Sequence, residues 1–148
     1  MPTVAVRYPS FNRALLKNFQ NMSEEEFADA ANRRPLRRDF YRRMGQDGFT
    51  DAEIEKSLSD IRMTAERMEA ALAENGPWIM GEKFSIADCA IAPSIDRMED
   101  LGYGGIWDDD CPNVAAWLDA MKARPSYGKT YYAKTRFSDI YPGINDPA

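Results

Sequence analysis

The residue types that run most polar chemistry are thinly represented in these 148 residues. There is no histidine, which removes Ser-His-Asp triads, imidazole bases and imidazole metal ligands from this chain. Cys89 and Cys111 form neither a CxxC motif nor a metal-ligand spacing, and they read as small reduced apolar residues. Carboxylates are plentiful, yet no pair stands apart from a helical surface pattern, so no catalytic residue and no metal site is expected. The densest charge feature is Arg33, Arg34, Arg37, Arg38, Arg42 and Arg43, six cations within eleven residues. Guanidinium forks pair well with carboxylates, and Arg34, Arg38 and Arg42 are expected along one helical edge. Such an edge suits a solvated face, an acidic partner or an anion. Nucleic acid is disfavoured as a partner, because the whole chain carries −5 with a pI near 4.8 and no aromatics interleave the cluster.

The elements that must position these groups read as helices throughout. Ser23-Glu24-Glu25-Glu26 and Thr50-Asp51-Ala52-Glu53 are capping boxes with acids in the first turn. After the second, Ile54, Leu58, Ile61, Ala65, Met68 and Leu72 repeat at helical steps, predicting a long helix over 51–74 that stops at Asn75-Gly76-Pro77. Phe11, Leu15, Phe19 and Met22 mark a first amphipathic helix over 8–21, and Leu36, Phe40 and Met44 a third short segment. Pro112 opens another helix carrying Val114, Trp117, Leu118 and Met121, with Asp108, Asp109 and Asp110 at its dipole-positive end. Trp78, Trp107 and Trp117 are expected to pack. The tail, 126–148, is aromatic and then rich in Pro and Gly. In a single domain spanning 1–148 it either covers the domain's own core, the favoured reading, or folds over a pocket as a lid. No run approaches the ~20 apolar residues of a membrane span and no signal peptide is visible, so the expectation is a cytoplasmic protein with no membrane partner.

The most informative stretch is Trp78-Ile79-Met80-Gly81-Glu82-Lys83-Phe84-Ser85-Ile86-Ala87-Asp88. Ser85 and Asp88 are spaced for a reciprocal capping box, with Phe84 at N′ and Cys89 at N4 placed for a hydrophobic staple. The helix that follows is unusually apolar and contains Pro93, which predicts a kink. The pattern W-x-x-G-x-x-F-S-x-A-D resembles the capping box and staple of the C-terminal helical domain of cytosolic glutathione transferases. The likeness continues through Leu101-Gly102, Pro112 to Trp117 and Ala123-Arg124-Pro125-Ser126, covering roughly 50–126.

This resemblance implies an all-α helical bundle. It further implies that the thioredoxin-like domain, which holds glutathione and activates its thiol, is absent from these residues. The chain alone is then expected to bind no cofactor and to be inactive, with glutathione a co-substrate when that domain is present. By position in the family, the start of the first helix offers Tyr8, Phe11, Asn12 and Leu15 to a small apolar electrophile. Phe84, Ser85 and Asp88 carry a structural capping role. A homodimer is also implied, since the family pairs through the first two long helices of this domain. A second reading stays open: a non-catalytic module that assembles with a protein partner, as similar domains do in elongation factor gamma subunits and some aminoacyl-tRNA synthetases.

Overall fold

The structure is a computed structural model that describes residues 5–107 and 110–147. It is all-α, and among the described residues the only β pairing is an isolated bridge between Trp78 and Gly81. Helix α1 starts at Arg7–Ser10 and runs on as a π-helical turn, Phe11–Leu15, and a 3₁₀ turn, Leu16–Asn18. Then come α2 (Glu24–Asn32), a 3₁₀ turn at Pro35–Arg37, α3 (Arg38–Met44) and the long α4 (Asp51–Asn75). Helix α5 (Ile86–Asp100) is followed by a 3₁₀ turn at Gly104–Ile106, α6 (Pro112–Lys122) and the short α7 (Pro125–Thr130).

Local chemistry explains most of these boundaries. Reciprocal boxes start α2 at Ser23 and Glu26, and α4 at Thr50 and Glu53, filling backbone donors that a helix start leaves open. Arg43 donates to Glu53 at 2.6 Å, tying α3 to the head of α4. Bonds from the Thr50 backbone, then from Arg43, hold the Glu53 carboxyl below its ordinary range. Helix α6 has no side-chain cap of its own. Instead Glu69, from the last third of α4, accepts from the N–H groups of Asn113 and Val114 at 2.9 and 3.0 Å. Its acid sits against the positive end of the α6 dipole. Of the three aspartates expected there, Asp108 and Asp109 lie outside the described residues, and Asp110 is exposed.

Three apolar groups hold the bundle together. The largest joins α4, α5 and α6 through Ile61, Ala65, Met68, Leu72, Ile95, Met98, Val114, Trp117 and Leu118, with Trp107 beside them. The second is aromatic and gathers α1, α2, α3 and the loop before α4. The third lies beneath the tail, where Ile144, Phe137 and Tyr141 meet Ala14, Leu15 and Leu101.

Two expectations are corrected. The first helix is not one regular amphipathic rod over 8–21. Pro9 supplies no backbone donor, and the Ser10 hydroxyl occupies the Val6 carbonyl at 2.6 Å, loosening the regular ladder into wider and tighter turns. Leu36 is not on a helix face with Phe40 and Met44; it sits in the 3₁₀ turn and is 100% exposed. Pro35 holds Arg34 out of helical geometry, at φ −120° and ψ 68°. That also takes Arg34 off the edge it was expected to share with Arg38 and Arg42. Arg34 instead donates to the Ala30 carbonyl and covers the Tyr41 ring.

Candidate functional site

The four residues nominated in the first helix lie together but face inward. Tyr8 stacks on Phe49 with ring centroids 3.8 Å apart, and the Arg43 guanidinium lies 5.4 Å from its centroid. Phe11 is buried edge-on against Phe40 and Tyr41. Asn12 donates to the Phe49 carbonyl at 2.7 Å and accepts from the Phe49 N–H at 2.9 Å. Its amide thus acts as a strap between α1 and the loop ahead of α4. Leu15 packs between the aromatic group and the tail. None of the four lines the clefts described below.

The opposite side of the same turns meets the tail. Arg13 donates to the carbonyl of Ile144 at 2.9 Å and to that of Asp146. Gly102 makes this closure possible: its φ is +81°, and a Cβ there would stand 2.2 Å from the Asp146 carbonyl oxygen. Between α1, α4, the 102–106 turn and the tail lies an open cleft of about 830 Å³, whose walls include Arg13, Leu58, Arg62, Tyr103 and Ile106. A neighbouring cleft of about 230 Å³ is formed by Arg13, Ala14, Lys17 and the Tyr141–Ile144 turn. The larger one offers apolar area, one phenol and two guanidiniums, with the Glu99 and Asp110 carboxylates also on its wall, a surface suited to holding an aromatic molecule in place. Among the described residues no group of three or more His, Cys, Asp or Glu is arranged to hold a metal. No helix among them is long and apolar enough to cross a membrane.

The tail owes its position to a charged cluster on α5. Asp100, 3% exposed, accepts from the backbone N–H groups of Phe137 and Ser138 at 2.8 and 3.1 Å, and from the Ser138 hydroxyl at 2.6 Å. Arg136 reaches Asp96 at 3.1 Å, Asp100 at 3.4 Å and Glu99 at 3.5 Å. Tyr127 donates its phenol to Asp96. Burial pushes the Asp96 carboxyl above its ordinary value, more than the Tyr127 bond and the Arg136 charge lower it. Burial and the Asp96 bond push the Tyr127 phenol far up.

At the other end of α5 a box joins Ser85 and Asp88. The Asp88 carboxylate accepts from the Ser85 N–H and hydroxyl at 2.8 and 2.9 Å. It also accepts from the Ile79 N–H at 3.0 Å and the Trp117 indole at 2.9 Å. The Ser85 hydroxyl accepts from the Ala87 N–H at 3.2 Å. Phe84 packs edge-on against Trp78 beneath the Arg124 guanidinium, while Cys89 is exposed. Both cysteines are free thiols.

Sequence reasoning passed over Arg13, Arg62, Tyr103 and Arg136. Only Arg13 gave a visible signal, a cation with no acidic neighbour at helical spacing; Arg62, Tyr103 and Arg136 each have an acid three or four residues away and so read as ordinary surface pairs. Their partners lie up to 133 positions away.

Residues 51–120 match the family described as glutathione S-transferase, C-terminal domain. A 2,5-dichlorohydroquinone reductive dechlorinase of Sphingobium indicum is 43% identical over 56 residues, covering 36% of this chain and 16% of that protein. Glutathione S-transferase F14 of Arabidopsis thaliana is 31% identical over 68% of this chain and 39% of its own length. Protein LigF of a Sphingobium species is 26% identical over 86% of this chain and 51% of its length. The chain thus spans about half or less of the length of these curated relatives. No solved structure gives a significant match. The matched span contains α4, the Asp88 box, α5 and most of α6, and in it the chain carries the C-terminal domain of the glutathione S-transferase family.

Proposed function

We propose that this chain is the electrophile-side part of a glutathione-dependent transferase. Its relatives include a named transferase and an enzyme named for a dichlorinated hydroquinone, which supports an apolar aromatic electrophile as the ligand. The observation that carries the reading is the junction of α1 with the tail, which leaves Leu58, Tyr103 and Ile106 lining one open cleft beside Arg13 and Arg62. In that role the chain holds and orients the electrophile, and a thioredoxin-like domain presents the glutathione thiolate. Positioning of this kind lowers the barrier without a catalytic side chain on this side of the site. This reading moves the electrophile contacts from Tyr8, Phe11, Asn12 and Leu15 to the outer side of the same turns.

A neutral, unreactive probe, 2,4-dinitrotoluene, tests it on the purified 148-residue chain. Backbone amide shifts are expected at Leu58, Tyr103 and Ile106, with affinity weakened at least fivefold by Tyr103→Ala. Shifts elsewhere, or none, overturn the assignment of the cleft. Turnover of glutathione with 1-chloro-2,4-dinitrobenzene by this chain alone overturns the division of labour.

One observation favours the second reading, a protein-assembly role, alone or beside catalysis. Leu36 projects fully exposed between Arg34 and Arg37, an apolar tip ringed by cations of the kind that seats in an acidic-rimmed partner surface. A contact with an acidic-rimmed surface there, on a protein partner or on a second copy of the chain, would be lost in Leu36→Asp, read by light scattering; an unchanged assembled mass would remove this contact from the assembly.

A further inference from the structure

A second cleft, away from the α1–tail junction, lies along the first half of α5. It holds about 420 Å³, and its walls include Phe84, Cys89, Pro93 and Arg124 with Tyr127 from α7 and Tyr131 just past its end. That volume is within the range of small-molecule sites. Its walls are mostly apolar and aromatic: Tyr127 and Tyr131 pack with centroids 4.6 Å apart, opposite Phe84 and the exposed Pro93 ring.

The cleft also holds one cation in an unusual position. The Arg124 guanidinium lies 3.5 Å over the Phe84 ring and 5.5 Å from that of Trp78. Among the described residues it has no carboxylate within ion-pair distance and makes no side-chain hydrogen bond, and its Nε is buried without a partner. The other half-buried arginines here do find acceptors: Arg13 on two carbonyls, Arg97 on Asp100, Arg136 on three acids. A guanidinium seated over aromatic rings with no acid or carbonyl on it keeps its terminal N–H donors available, and such donors fit a carboxylate two at a time. Burial also pushes the Tyr131 phenol up, so it adds aromatic area and no negative charge at neutral pH.

We propose that this cleft binds a small aromatic carboxylate, its ring between Phe84, Pro93 and Tyr131 and its carboxylate on Arg124. The site is separate from the electrophile cleft and does not depend on any transferase activity. Cys89 supplies a built-in reporter, being an exposed thiol in the cleft wall while Cys111 is buried.

The test follows iodoacetamide alkylation of Cys89 by intact mass and peptide mapping, with 2-naphthoate as the probe and neutral 2-naphthalenemethanol as its control. Saturating 2-naphthoate is expected to slow alkylation at least fivefold, and the neutral control to need at least tenfold more ligand. Arg124→Gln is expected to raise the 2-naphthoate dissociation constant at least tenfold with the melting temperature held. Should that variant unfold, Tyr131→Ala, from the other wall, is expected to weaken 2-naphthoate at least fivefold. Unchanged alkylation at millimolar 2-naphthoate overturns the site. Equal binding of the neutral control overturns the role of Arg124. Protection of Cys89 that rises with protein concentration and needs no probe assigns the cleft to a second copy of the chain and overturns the proposal.

Discussion

Helix α5 buries carboxylates near both ends, and the two ends keep different company. Asp88, 0% exposed, is surrounded by uncharged donors: two backbone N–H groups, a hydroxyl and an indole. Asp96 and Asp100 share Arg136, which also reaches Glu99, while Arg97 pairs with Asp100 and Lys122 with Glu99. Burial raises the Asp88 pKa, yet the bonds from Ile79, Trp117 and Ser85 outweigh it and hold the group below the ordinary value. At Asp96 burial wins and the pKa rises. A full set of fixed neutral dipoles therefore stabilises a buried charge better here than a crowded mixture of like and unlike charges.

The largest expected effect breaks the better-satisfied end. Asp88→Asn removes the charge and leaves at least one of its donors without an acceptor, for a loss of about 3 kcal/mol, or roughly 6–12 °C in melting temperature. The pH dependence follows from the lowered pKa. The Asp88 contribution is complete above the unfolded carboxylate pKa of about 3.9 and is lost as pH falls toward the lower folded value. Wild type should therefore converge on Asp88→Asn below about pH 4; parallel denaturation curves down to pH 2.5 would contradict the comparison.

Next in size is Arg136→Gln, which leaves three acids around an uncharged amide. A loss of about 2 kcal/mol is expected, with faster proteolysis between residues 130 and 147 as the readout; a tail equally protected in the variant would show that Asp100 holds it alone. Ser85→Ala should cost about 1 kcal/mol, and an unchanged denaturation midpoint would remove the cap's energetic role.

Asp96→Asn should be the mildest, within about 1 kcal/mol at neutral pH. The amide oxygen still accepts from Tyr127, and Arg136 keeps two acids. Because the folded Asp96 pKa is raised, wild type should gain stability relative to this variant as pH falls from 7 toward 4. A relative loss over that interval would reverse the sign assigned to this end of α5.

What could be read from the sequence divides along the same line. The boxes at Ser23, Thr50 and Ser85 close over three residues, and the Ile61-Ala65-Met68-Leu72 stripe repeats within one helix. Both patterns are local, so the all-α bundle was readable. The tail cluster pairs Asp100 with Ser138 and Arg13 with Asp146, 38 and 133 positions apart, and no periodicity reports such contacts. Leu36 misled because its spacing fits the following helix, whereas Pro35 opens a separate 3₁₀ turn and the α-helix begins only at Arg38. Tyr8 and Asn12 were nominated by position in the family alone, which does not report their partner 37 or more residues away; Phe49 engages both.

The indole of Trp117 has a further consequence. Its N–H ends on Oδ1 of Asp88, the same oxygen that holds the Ile79 N–H, and the Trp117 side chain is itself buried. Solvent deuterium is expected to reach that proton when α6, the head of α5 and the 78–81 turn separate together. Its exchange should run at the rate set by global opening, slower than the amides of the tail. One well-resolved indole resonance is thus a label-free clock for unfolding of the whole bundle, already installed by the fold.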